Sequence, residues 1–372
     1  MLFGDSPSTG LVGIARLAAE SEVLESKRVV QYFEIGCRSV LNKTRPGLPF
    51  TWTINPYRGC EFACRYCYAR YTHEFMELRA SEDFEDKIYV KSNLQPAVRR
   101  ELQGLKRKNE AIAIGTATDP YQPAERRFER TRSILEVFAG ETGHSLSITT
   151  KSDLVRRDIP LLVEIAIKNQ ISVNITITTL DVKLARALEP RAPRPDLRLQ
   201  TLRAITDAGI PAGVFPNPIM PLISDREKDL DRLAGAARAH GASYFGGGIL
   251  FLMPSSRRVF FPFVEQHFPH LIRRYRERYE SSAYIEGPYR DMIRERVRGI
   301  RQRYGLADSP PNREWPTEPE MQQLLFPESA TMHNCAPSRT RPQASSPSSG
   351  PSGWPRSTSG SRRKSAVISR PR

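Results

Sequence analysis

Three cysteines fall within eight residues, in the stretch Cys60-Glu61-Phe62-Ala63-Cys64-Arg65-Tyr66-Cys67. Soft thiolates select iron–sulfur clusters, zinc or copper, so residue type alone admits several metals. Closed zinc sites want four protein ligands, commonly as two short Cys or His pairs, and here only His73 follows at a workable distance. Three thiolates on one compact loop instead suit a cubane cluster, in which three irons each take a cysteine and the fourth stays open to a substrate or cofactor. A zinc knuckle completed by His73, and cysteines that merely pack as small core residues, are the competing readings.

A loop of this kind has to be carried by regular elements, and the flanking sequence supplies them. Between Leu48 and Leu252 short β-rich runs alternate with helical ones, the pattern of a parallel sheet built from βα units. The strands are expected at Pro49 to Ile54, Ala111 to Thr116, Leu146 to Thr149, Val173 to Thr178, Ala212 to Phe215 and Tyr244 to Phe251. Asp158 ahead of Pro160 starts one intervening helix, and Ser224 with Glu227 three residues on reads as a capping box for another. Leu199, Leu202 and Ile205 give a third its apolar stripe before Gly209 stops it. The sequence therefore predicts an α/β fold, a partial TIM-type (β/α)6 barrel of parallel strands with a helical C-terminal extension and a disordered tail. The expected divisions are an N-terminal extension over 1–47, the barrel over 48–260, the helical extension over 261–327 and the tail over 328–372.

Parallel strands gather their ligand-binding groups at their C-terminal ends. The cysteines follow the first strand, Thr118 and Asp119 follow the second, Lys151 follows the third, and Thr178 and Thr179 end the fourth. Chemistry is expected across these loops.

Composition narrows the class. Of 372 residues, 39% are hydrophobic and 26% charged, and no apolar run approaches the length of a membrane span. The first ten residues carry no basic patch leading into an apolar stretch, so a cytoplasmic protein is expected, with no membrane partner. Five cysteines, three of them this close, do not read as a disulfide framework. The formal charge is +15, yet residues 328–372 hold eight Lys or Arg against Glu328, which leaves +8 on the remainder. That excess is compatible with nucleic acid and with an ordinary basic enzyme alike. In the tail, 21 of 45 residues are Ser, Pro or Gly, too little apolar surface to offset the entropy of ordering. No signal for an oligomeric state stands out.

The triple, with an aromatic immediately before its last cysteine and a β-strand ahead of it, resembles the signature of the radical S-adenosylmethionine (SAM) superfamily. Within it, Asn55 to Arg70 (NPYRGCEFACRYCYAR), Thr118 to Pro123 (TDPYQP), Thr149 to Ser152 (TTKS) and Leu188 to Arg191 (LEPR) resemble the spore photoproduct lyase-like group, loosely called DNA repair photolyases. The resemblance implies a 4Fe-4S cluster on Cys60, Cys64 and Cys67, with SAM chelating the open iron. It also implies a one-electron donor such as flavodoxin or ferredoxin, homolysis to a 5′-deoxyadenosyl radical, and a nucleic-acid substrate. Residue by residue, it places Tyr66 against the adenine, Thr118 and Asp119 at the methionyl group, Lys151 at its carboxylate, and Thr178 and Thr179 near the ribose. One or more of Arg58, Arg65 and Arg70 are expected to offset thiolate charge.

One departure is visible. Characterised spore photoproduct lyases carry a hydrogen-donating cysteine after the second strand, where this chain has Thr116, and no cysteine occurs between Cys67 and Cys335. An alcohol O–H bond is too strong to replace a thiol, which counts against spore photoproduct repair itself; Tyr121 or another tyrosine is the alternative donor, and no residue is singled out for the substrate step. A peptide or small metabolite is the second enzymatic reading. A zinc-stabilised nucleic-acid-binding module is the third.

Overall fold

Apolar and β-branched residues dominate the strand segments, and in a parallel sheet covered on both faces such runs are largely buried. The computed structural model describes residues 12–19, 23–27, 30–105 and 110–311. In it, β1 (Trp52–Ile54), β2 (Ala111–Ile114), β3 (Ser145–Thr150), β4 (Gln170–Thr176), β5 (Ala212–Phe215) and β6 (Tyr244–Phe245) lie side by side in chain order and pair in parallel. Ile54 sits opposite Ile114, Ile114 opposite Ile148, Ile148 opposite Val173 and Val173 opposite Ala212, so one apolar layer crosses five strands. Asn42–Lys43 adds an antiparallel edge to β1, and the two sheet edges do not pair with each other. The result is the open, partial barrel that the sequence predicts.

Helices cover this sheet: α1 (Leu94–Gln103), α2 (Arg130–Ala139), α3 (Ile159–Lys168), α4 (Val182–Leu188), α5 (Pro195–Asp207) and α6 (Glu227–Ala239). Ile134, Leu162, Ile165, Leu202, Ile205, Leu230 and Leu233 join the strand residues in the main core. Pro160 opens α3 in its first turn, as expected, while Asp158 uses its carboxylate to bind Arg132 at 2.6 Å and Arg157 at 2.8 Å rather than to cap the helix. The capping box at Ser224 and Glu227 does not form. Arg226 is the N-cap, and Ser224 Oγ instead accepts the Met220 N–H at 2.9 Å. Beyond β6 lie α7 (Pro254–His267), α8 (Ile272–Tyr279) and α9 (Pro288–Tyr304), and α7 straddles the expected division after residue 260.

A second sheet is absent from the sequence expectation. Val23–Lys27 pairs antiparallel with Val30–Gly36, which runs parallel to Lys87–Ser92, which in turn pairs antiparallel with the short strand Tyr57–Arg58. Residues ahead of the barrel thus reach the stretch that leads into the cysteines. The expected tail, with Cys335 and Trp354, lies outside the described residues.

Candidate functional site

Leaving β1, the chain is fixed by Asn55, whose Oδ1 accepts the Ala117 N–H at 2.7 Å and so ties the first βα loop to the second. Tyr57 and Arg58 then pair with Val90 and Tyr89 of the second sheet. Gly59 follows at φ +84°, where a Cβ would stand 2.8 Å from both Lys87 O and Phe84 O, so only glycine fits the turn. Its carbonyl accepts Thr118 Oγ1 at 2.6 Å and Gln122 Nε2 at 3.2 Å. Cys60 N–H donates to Phe84 O at 2.9 Å, and Glu61 is held by Gln122, Ala124 N–H and Tyr32. These straps cross to other elements, while Ala63 N–H to Cys60 O and Cys67 N–H to Cys64 O at 3.2 Å turn the loop on itself.

The three sulfurs sit in an apolar cluster distinct from the main core, with Leu188, Met220, Leu252, Phe260 and Phe263. Ser256 at the start of α7 donates to Cys67 O at 2.9 Å. Arg70 is buried, donates to Cys64 O at 3.1 Å and Ser81 O at 2.7 Å, and pairs with buried Glu85 at 2.5 Å. Burial pushes the Cys64 thiol up to about 12 and raises Cys60 and Cys67 as well, Cys60 further beside Asp119; Lys151 works against burial at Cys64, and Arg70 at Cys67. A thiol so raised becomes a thiolate when a metal replaces its proton. Of the three arginines expected to offset that charge, Arg70 does face Cys67. Arg58 interacts instead with Cys37 and Tyr71, and Lys151 and Arg198 supply the remaining positive charge near Cys64.

Among the described residues, no group of three or more His, Cys, Asp or Glu side chains is arranged to hold a single metal ion. His73, the expected fourth zinc ligand, is 2% exposed, places Nε2 3.0 Å from Lys87 O and packs edge-on against Phe84 and Tyr89. Burial pushes it down to about 4. It belongs to the packing beneath the loop. Three soft sulfurs, those of Cys60 and Cys64 buried and that of Cys67 half-buried, with cations beside them suit a cluster whose irons occupy separate corners better than one tetrahedral ion.

Tyr66, Thr178, Lys151 and Asp119 are brought together. The Tyr66 hydroxyl donates to Glu189 Oε1 and lies 3.1 Å from Thr178 Oγ1, which itself donates to Glu189 at 2.8 Å. Glu189 is locked by Arg198 at 2.5 Å, each side chain 1% exposed. Burial would raise the Glu189 carboxyl, but Arg198 and Lys151 hold it below its ordinary value. Burial would likewise lower the Lys151 ammonium, and Cys64, Glu189 and Asp119 carry it upward. Asp119 accepts Thr150 Oγ1 at 2.6 Å and the Lys151 N–H at 2.8 Å, linking the second and third loops. Thr118 is spent on Gly59 O and accepts Gln122 Nε2 at 2.9 Å. Thr179, next to Thr178, accepts the Asp181 N–H at 3.1 Å and borders a cavity between the fourth and fifth loops.

The sequence reading quoted Glu189 only as part of LEPR and passed over Arg198, which lies on α5 with nothing local to mark it as inward-facing. Gln122 carried a signal, its place in TDPYQP. Thr116 accepts the Tyr68 hydroxyl through its carbonyl, and Tyr68 packs against Phe251 with ring centres 4.9 Å apart. Phe251 stacks on Tyr284 at 5.3 Å, which is 59% exposed. Tyr121 is 1% exposed in the main core, in a different apolar cluster from the sulfurs.

A family model described as the Radical SAM superfamily matches residues 54–234. Uncharacterized proteins of Mycobacterium bovis and Mycobacterium tuberculosis are each 39% identical over 308 residues, covering 82% of this chain and 88% of theirs. One from Methanocaldococcus jannaschii is 30% identical, covering 64% of this chain and 85% of its own. Among solved structures, spore photoproduct lyase complexed with dinucleoside spore photoproduct superposes with a TM-score of 0.54 at 13% identity, over 82% of this chain and 85% of that one. A variant of that lyase with bound AdoMet and the same dinucleoside gives 0.55 at 13%, over 81% and 83%. At that identity the likeness is one of fold.

Proposed function

The chain belongs to the radical SAM superfamily, an enzyme family defined by an iron–sulfur cluster and SAM, and from that premise we propose that it is a 4Fe-4S enzyme acting on a nucleic acid. Cys60, Cys64 and Cys67 would hold the cluster. When bound, cluster and SAM supply one-electron reductive cleavage of the sulfonium to methionine and a 5′-deoxyadenosyl radical, the electron coming from a donor such as flavodoxin or ferredoxin. Lys151 offers a half-buried positive charge to a carboxylate. Tyr66 offers a ring held in one orientation by Glu189, and Thr178 and Thr179 offer hydroxyls to a ribose. Asp119 and Thr118 keep three βα loops in register, which holds these groups in place before any ligand arrives.

The observation that carries the reading is the convergence of three thiols, two buried and Cys67 half-buried, with the Lys151, Tyr66 and Glu189 assembly on the face where the βα loops gather. The nucleic-acid part rests on the motif resemblance and on the positive excess of the chain. Thr116 in place of a hydrogen-donating cysteine favours a substrate other than spore photoproduct.

Anaerobic reconstitution tests both parts. Brown protein with four irons and four sulfides per three cysteines is the expected result, and colourless protein with stoichiometric zinc would overturn the cluster. Incubation with deuterated DNA and RNA should carry deuterium into 5′-deoxyadenosine. SAM cleavage that proceeds while neither polymer is bound or labelled would remove the nucleic-acid assignment and leave the cofactor chemistry standing.

A further inference from the structure

A cavity of about 450 Å³ opens between the segment after β4 and the first turns of α6. It lies on the face where the βα loops gather, and Thr179 forms part of its wall. Its charged lining comes from Asp181, Arg226, Lys228, Asp229 and Arg232.

The two acids are already committed. Asp181 Oδ1 accepts the Lys183 and Leu184 N–H groups at 2.8 and 3.0 Å, capping α4, and Asp229 pairs with Arg226 at 2.8 Å. Lys228 and Arg232 are different. They stand one turn apart on α6, both are exposed, and among the described residues neither has an ion-pair or hydrogen-bond partner. Like charges at this spacing repel by a few tenths of a kcal/mol, so the helix gains when an anion settles between them. The cavity falls within the roughly 300–1,000 Å³ range of small-ligand sites, which suits a phosphate together with its sugar.

We propose that this cavity binds a backbone phosphate of the nucleic-acid substrate, with Lys228 and Arg232 as the neutralising pair. The assignment rests on the nucleic-acid reading above and adds where the polymer is gripped: beside Thr179, at the rim of the candidate cofactor site. Its place between the fourth and fifth loops lets a strand anchored there present a neighbouring nucleotide to the centre of the barrel mouth.

The test uses the anaerobically reconstituted full chain and fluorescein-labelled single-stranded DNA and RNA, with anisotropy read from about 50 to 200 mM salt. In Lys228→Gln/Arg232→Gln, affinity at the lowest salt should fall about tenfold, and the slope of log affinity against log salt should become shallower by about one. Arg274→Gln, an exposed change of net charge on α8, should leave both as in the parent. Equal affinity and slope in the double variant, with the parent binding normally, would overturn the phosphate site alone. A parallel fall in SAM affinity would assign the cavity to the cofactor instead and overturn it too. A parent chain that binds neither polymer would sink the nucleic-acid reading, and this site with it.

Discussion

Lys151 holds its Nζ 5.8 Å from the centre of the Tyr66 ring, a phenol whose hydroxyl is gripped by Glu189. The residue is half-buried and its backbone N–H is bound by Asp119, so its position is set by three separate βα loops. Lys151→Met keeps most of the volume and removes the charge. SAM affinity, measured by isothermal titration of the reconstituted protein, should weaken about 10- to 100-fold, the scale of a charge-assisted hydrogen bond, while cluster content stays near that of the parent.

Cys64→Ala should abolish the visible absorption and SAM cleavage together. Its far-UV circular dichroism should stay close to that of the parent, because the main core contains none of Cys60, Cys64 and Cys67. Retained SAM cleavage would refute the ligand assignment.

Glu189 and Arg198 are each 1% exposed, so removing one leaves the other charged and unpaired. Glu189→Ala should cost about 3–5 kcal/mol in urea unfolding. Replacing both with uncharged residues of similar volume should recover much of that loss. It should not recover SAM affinity if Glu189 is what orients Tyr66. That split separates a positioning role from a structural one.

Gly59→Ala asks for a left-handed residue whose Cβ meets two carbonyl oxygens at 2.8 Å, and neither oxygen can move without disturbing the strand or helix that carries it. The expected outcome is a protein that retains its helical signal and takes up substantially less iron per chain. Parent-level iron content would show that the turn is not needed to set the cysteines.

Lys91, on the strand Lys87–Ser92, gives a pH test away from the cysteines. Burial pushes its ammonium down to about 8 from 10.5. Between those values the unfolded chain binds more protons than the folded one, so this group's contribution to stability rises with pH. In Lys91→Met the buried charge is gone. The variant's advantage over the parent in urea unfolding should be largest near pH 7 and should shrink by about 2 kcal/mol by pH 9.5. A difference that is flat across that range would mean that Lys91 titrates normally.

How much of this could be read from the chain depends on how local each signal was. The cysteine spacing is a property of eight consecutive residues, and strands such as Ala111–Ile114 announce themselves through their own side chains. β6 was expected to run to Phe251 but ends at Phe245, where Gly246, Gly247 and Gly248 interrupt it. The second sheet escaped because it joins residues 31–36 to 87–92 across more than fifty positions, and nothing in VQYFEIG specifies KIYVKS as its neighbour. Arg198 escaped for a related reason: α5 reads as an ordinary amphipathic helix, and only its packing against β4 turns a guanidinium onto Glu189. Ser224 and Glu227 had the right spacing for a cap, but the turn at Met220 took the hydroxyl first.

Tyr57 and Arg58 belong to the second sheet, although β1, only three residues earlier, belongs to the barrel. The sulfur-bearing loop is therefore a splice between two layers, and the N-terminal one cannot drift without dragging on Cys60. Stripping the iron should consequently be felt first as faster amide exchange in Val30–Gly36 and Lys87–Ser92, far ahead of any loosening among β2 to β5. On this expectation metal occupancy and the order of that small sheet are coupled, and the N-terminal segment would report whether the protein is loaded.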